Sequence, residues 1–138
     1  MVFSLSYDRY VDWLEEAFDD LEAAVVLLGA GKWSKACFLS HQAVEKALKA
    51  LMIKKLGVYK HTHSVKAFLS EITSKIPLPE DLVESAGRLD RHYIPARYPS
   101  AWPSLPPHKH YSKREAEEAV EIARRVLEHV RKLVEEDP

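Results

Sequence analysis

The chain has no asparagine, one glutamine (Gln42), one cysteine (Cys37) and only four glycines in 138 residues. A lone cysteine excludes an internal disulfide, and its place among apolar helix positions predicts a small buried hydrophobe rather than a reactive thiol. No apolar run approaches the ~20 residues that a membrane span needs, so no membrane partner is expected. The stretch Met1-Val-Phe-Ser-Leu-Ser-Tyr-Asp8 lacks the basic start of a secretion signal, and a cytoplasmic protein is expected. Neither charge sign is in excess: 20 Lys and Arg against 21 Asp and Glu leave a net charge of -1. That balance argues against a generally basic nucleic-acid-binding surface and leaves room for a local basic patch. A scarcity of amides beside 30% charged residues is the composition of heat-adapted proteins.

The pattern that is present is helical. Apolar positions at alternating three- and four-residue steps (Tyr10, Leu14, Ala17, Leu21, Val25, Leu28) predict a helix from about Asp8 to Leu28, ended by Gly29-Ala-Gly31. A second helix runs from Lys32 to Leu56 without Gly or Pro, and the short connection favours an antiparallel hairpin. On a helical wheel Ala36, Ala43, Val44, Ala47, Leu48 and Leu51 share its apolar face. A third helix is expected to about Ser74, capped by Ser64 or Thr62, with Val65, Phe68, Leu69 and Ile72 inward. Pro79 is placed to open a fourth, whose apolar face is Leu82, Ala86 and Leu89. Five prolines between Pro95 and Tyr111 exclude helix for most of that stretch. Ser112 and Glu115 form a capping-box pattern before a final helix with Ala116, Ala119, Ala123, Val126, Leu127, Val130, Leu133 and Val134 on one stripe. There is no strand alternation and no internal repeat. The fold class is all-α, an up-and-down bundle of four or five helices in a single domain, 1–138.

The chemistry-bearing residues concentrate on the second helix. His41, Gln42 and Glu45 place an imidazole, an amide and a carboxylate one turn apart, where they could serve a site or a subunit contact. Glu45, Lys46 and Lys49 fall in the polar sector, and Glu45 and Lys49 have the favourable acid-before-base spacing; a solvated stripe is the plain alternative for the two lysines. Arg97 and Tyr98 lie between Pro95 and Pro99 on stiffened backbone. Arg97 could bind phosphate, or pair with Asp90 or Glu45 while Tyr98 packs. Tyr93 reads as core or interface. His61 and His63, like His108 and His110, are weak zinc signals without a nearby Cys or carboxylate, and no metal or other cofactor is expected. Lys109, Lys113 and Arg114 make a small basic group at the last helix start. Trp13 and Trp33 read as core or interface anchors. Trp102, in the proline-rich stretch, reads as a lid or a dimer contact.

Several separated motifs, in order, resemble one family. They are Gly31-Lys32-Trp33 leading into Phe38-x-x-His41-Gln42-Ala43-x-Glu45-Lys46-Ala47-Leu48-Lys49, then Thr62-His63-Ser64-Val65. There follow Leu89-Asp90-x-x-Tyr93-Ile94-x-Ala96-Arg97-Tyr98-Pro99 and the helix opening at Tyr111-Ser112. Together they resemble the HEPN domain, over nearly the whole chain. The resemblance implies a helical bundle like the helical part of kanamycin-type nucleotidyltransferases and the C-terminal end of sacsin, assembled as a homodimer. It implies a minimal nucleotidyltransferase as partner, in a toxin–antitoxin-like pair, and a nucleotide as ligand. His41, Gln42, Glu45, Lys46, Lys49, His63, Arg97 and Tyr98 are then the candidate ligand-binding residues, with no catalytic residue assigned.

Many members of the family are ribonucleases in which an Arg is followed at a short interval by a His, the His acting as acid or base and the Arg stabilising phosphorane charge. Arg97 would be that Arg, but Trp102, Pro103 and Ser104 stand where the His should be, and His108 lies too far on. Arg124 and His129 have the spacing inside the last helix, yet that step turns the side chains about 140° apart. The expectation is therefore a nucleotide- or partner-binding module with no activity of its own. RNA cleavage with His41 or His63 as the partner histidine is the alternative, and a structural dimer module the third reading.

Overall fold

The computed structural model describes residues 9–136, and among them there is helix but no strand. The order is α1 (Arg9–Gly29), α2 (Trp33–Leu56), α3 (Val65–Thr73), α4 (Glu80–Gly87) and α5 (Lys113–Glu135). Short 3₁₀ turns cover Arg88–His92, Pro99–Ala101 and Pro107–Lys109. Each boundary has a local cause. Gly31, at φ 78°, turns the chain between α1 and α2. Gly57, at φ 65°, closes α2, with its own N–H on the Ile53 carbonyl and the N–H of Val58 on Met52. Ser64 caps α3 by accepting from the Ala67 N–H at 3.1 Å. Ser112 and Glu115 complete the capping box of α5. Pro79 sits at the cap of α4 rather than inside it, one residue from the expected start. The expected beginning of α1 at Asp8 lies outside the described residues.

Small residues let the long helices approach closely: Ala17 and Ala24 of α1, Ala36, Ala43 and Ala47 of α2, and Ala116, Ala119 and Ala123 of α5 are all inaccessible or nearly so. Larger side chains, led by Phe68, Leu48, Leu51, Met52 and Leu127, fill the space between these contacts. The apolar residues expected on α3 and α4 are all buried, although Leu89 falls in the Arg88–His92 turn because α4 ends at Gly87. Two details differ from the sequence reading. Val25 is exposed and Ala24 takes its place inside: Ala24 lies one heptad after Ala17, in line with Tyr10, whereas the step from Leu21 to Val25 leaves that face. More consequentially, α2 is not half solvated. It is the central rod, packed by α1, α5, α3 and the Arg88–His92 turn, and 15 of its 24 residues are buried, His41, Glu45 and Lys49 among them.

Burial on this scale sets the chemistry of the groups around α2. The Cys37 thiol is fully buried and pushed up to about 12, mainly by loss of water and then by Glu115, which makes it an inert hydrophobe as expected. His92 is pushed down to about 4 by burial, with Arg91 and His41 adding repulsion. Its Nε2 accepts from the Arg91 Nε–H at 3.5 Å, so Nδ1 carries the proton and donates to the Tyr111 hydroxyl at 3.1 Å. Burial raises the Tyr111 hydroxyl above its ordinary range, with Cys37 and Glu115 acting in the same direction. Trp102 braces the proline-rich stretch internally, stacking flat on His110 at 4.0 Å and donating its indole N–H to the Pro95 carbonyl at 2.8 Å, and packs partly buried against the core.

Candidate functional site

Carboxylates drawn out of water need partners, and buried Glu45 and half-buried Asp90 have both taken histidines. Glu45, 3% exposed, accepts a hydrogen bond from Nδ1 of His63 at 2.8 Å. That bond leaves Nε2 of His63 facing outward on a largely exposed side chain. The His63 ring stacks on Tyr93 at 4.7 Å with only 17° between planes. Asp90 is bound more densely. It accepts from the backbone N–H of Val65 at 2.7 Å and of Lys66 at 3.0 Å, from the Ser64 hydroxyl at 3.2 Å, and from His41 Nε2 at 3.0 Å. Burial works against its charge, but the N–H groups of Lys66 and Val65, with His41, outweigh it and hold the carboxyl below its ordinary range. A carboxylate at the N-terminus of α3 also meets the positive end of that helix.

His41 is wholly buried, and both of its nitrogens are engaged. Gln42 donates to Nδ1 at 3.3 Å, which fixes the proton on Nε2 for Asp90. It is a structural tie between α2, α3 and the Arg88–His92 turn, with no nitrogen left for a substrate.

Arg97 arrives from the stretch after that turn. Its Nε–H donates to the Tyr93 carbonyl at 2.8 Å. Its guanidinium lies 4.4 Å from the Phe38 ring centre, 4.6 Å from Tyr93 and 4.8 Å from Tyr98. The alternative pairing with Asp90 or Glu45 is not made, because both carboxylates are occupied and the rings occupy the guanidinium's faces. Tyr93, read from sequence as core or interface, is half-buried at the centre of the cluster, within 5.3 Å of His41 and closer to His63 and Arg97.

The fold thus gathers His41, Gln42, Glu45, His63, Arg97 and Tyr98 around Tyr93. It turns the ammonium groups of Lys46 and Lys49 toward α1. Lys46 pairs with Asp20 at 2.7 Å. Lys49, 6% exposed, lies 4.5 Å over the Trp13 ring and 5.4 Å from Tyr59. Burial lowers its affinity for a proton and Glu45 pulls the other way. Neither lysine is a solvated stripe residue, and neither faces Arg97's ring cage. The His61-x-His63 pair diverges, His61 meeting Tyr59 edge-on at 4.5 Å while His63 goes to Glu45. Arg124 and His129 border one shallow depression with Pro79 and Leu82, but Arg124 is tied to Glu121 at 3.6 Å. Ser64 and Phe38 were not expected in the cluster, and Asp90, expected only as an alternative partner of Arg97, binds His41, Ser64 and the start of α3 instead. Asp90 is three residues before Tyr93, but no local pattern announces partners 25 and 49 residues away.

Five α-helices joined by turns, with no strand among the described residues, define a small all-α bundle domain. The HEPN domain pattern matches residues 10–133, and the chain belongs to the HEPN domain family. TT1696 from Thermus thermophilus is 43% identical, with a TM-score of 0.85 over 90% of this chain and 97% of that one. ST0689, an archaeal HEPN homologue, is 34% identical, with a TM-score of 0.77 over 92% and 98% of the two chains. MJ1304, a candidate toxin of Methanocaldococcus jannaschii, is 27% identical over 143 residues, covering 97% of this chain and 92% of its own length. No helix among the described residues is long and apolar enough to cross a membrane.

Proposed function

We propose that this HEPN protein binds a nucleotide by its phosphate at Arg97 and acts with a minimal nucleotidyltransferase in a toxin–antitoxin-like pair. The observation that carries the reading is the state of that guanidinium. Six of the eight arginines pair with a carboxylate among the described residues; Arg97 and Arg114 do not. Arg114 is exposed in the first turn of α5, whereas Arg97 is half-buried and caged by three aromatic rings. A caged guanidinium cannot swing away, and its terminal N–H groups offer the side-by-side donors that a phosphate accepts. The pairing with a nucleotidyltransferase is supported by the family resemblance and by a relative named as a candidate toxin. A cytoplasmic homodimer belongs to the same reading. Calorimetric titration with AMP tests it: Arg97→Ala is expected to weaken binding about ten- to hundred-fold, the usual worth of a charge-assisted contact. Unchanged affinity in the variant, or no binding to the wild type, refutes it.

A second reading, a divergent metal-independent ribonuclease, is favoured by the Glu45–His63 pair beside the Tyr93 ring that also meets Arg97. The free Nε2 would exchange a proton with the substrate while Arg97 held phosphorane charge. Cleavage of labelled RNA lost in both His63→Ala and Arg97→Ala supports it; cleavage surviving both removes it.

A further inference from the structure

We infer that the outward face of His63 is a stacking platform for the unpaired base of the nucleotide whose phosphate Arg97 holds. The inference rests on the phosphate reading above and adds the ligand's other half. Glu45 is almost inaccessible, and a buried carboxylate is costly unless its bonds serve it. Its bond to His63 fixes the plane of a ring whose side chain is 60% exposed. Tyr93 backs the same ring from within at 4.7 Å and 17°, so one flat face is filled by protein and the other is open. The ring fronts an open depression of about 550 Å³ whose walls include Ile94 and Pro95. Such walls suit a flat heterocycle better than a hydrated ion. Tyr93 also meets the guanidinium, at 4.6 Å, so the His63 ring and the Arg97 guanidinium both rest on one aromatic ring.

The test compares AMP, ribose 5-phosphate and inorganic phosphate by calorimetry on the full chain. AMP is expected to bind about ten-fold tighter than ribose 5-phosphate, the usual contribution of one base stacked on an aromatic ring. His63→Ala should abolish that ratio while leaving ribose 5-phosphate affinity intact, and His63→Phe, which restores a flat face without the Glu45 bond, should recover most of it. A ratio near one in the wild type overturns the inference and leaves the phosphate site standing. A ratio untouched by His63→Ala, or lost there and not recovered by His63→Phe, also overturns it. Binding of none of the three ligands refutes both readings. A short oligoadenylate binding tighter than AMP assigns the base to a single strand, and equal affinity assigns it to a free nucleotide; either supports the platform.

Discussion

Lowering the pH from 7 to 4 is expected to cost the fold about 3 kcal/mol through His92 alone. The residue is 2% exposed and its imidazole is pushed from its ordinary 6.5 down to about 4, chiefly by burial. The unfolded chain therefore takes up the proton first as the pH falls. The stabilising effect of a neutral His92 is complete above about 6.5 and is lost progressively down to about 4, below which both states are protonated and this group costs nothing further. At about 1.4 kcal/mol per pH unit, that window corresponds to about 3 kcal/mol. The carboxyls of Asp90, Asp81 and Glu128 are shifted the other way, so their contributions are present above their ordinary values and fade only below them. Urea unfolding followed by tryptophan fluorescence, repeated between pH 4 and 7, gives the dependence directly. His92→Gln can still donate to the Tyr111 hydroxyl and does not titrate. Its stability at pH 7 should fall by about 1–2 kcal/mol for imperfect packing, with the slope between pH 6.5 and 4 reduced by the His92 share. Parallel pH curves for wild type and variant would show that burial of this imidazole is not what sets the window.

Other consequences of the packing can be checked as simply. Asp90→Ala removes the acceptor for two backbone N–H groups of α3, the Ser64 hydroxyl and His41, and should destabilise the protein by about 3 kcal/mol in denaturant titrations, with Asp90→Asn intermediate. Ser112→Ala breaks the capping box of α5 and should cost about 1 kcal/mol, read as a lower urea midpoint at unchanged slope. Cys37 should resist a thiol reagent in the native protein at pH 8 and react fully once unfolded, since its thiol is inaccessible and pushed up to about 12.

What could be read from the sequence was what is decided locally. The caps at Ser64 and Ser112, the turn at Gly31 and the stop at Gly57 involve partners within a few residues, and the helical spans follow from them. The inward faces of α3, α4 and α5 were equally legible, because one buried side leaves a clean periodic signal. For α2 the same periodicity misled. A wheel registers which side is most apolar, not that four other elements close around the rest, so Glu45 and Lys49 were assigned to a polar sector that proves to be buried. Membership in the cluster was partly visible: proline-stiffened Arg97 and the His41–Glu45 turn stood out as residue types. Their partners did not. Asp90 reaches backbone 25 residues away, and the cage of Arg97 is assembled from Phe38 on α2 as well as its neighbours Tyr93 and Tyr98.

On this reading the caged guanidinium of Arg97 is an anion receptor. A crystal structure of the protein soaked with AMP measures that directly. The phosphate oxygens should lie about 3 Å from the terminal nitrogens of Arg97, with the Phe38, Tyr93 and Tyr98 rings unmoved. A phosphate seated elsewhere, such as on Lys113 and Arg114 at the start of α5, would contradict it.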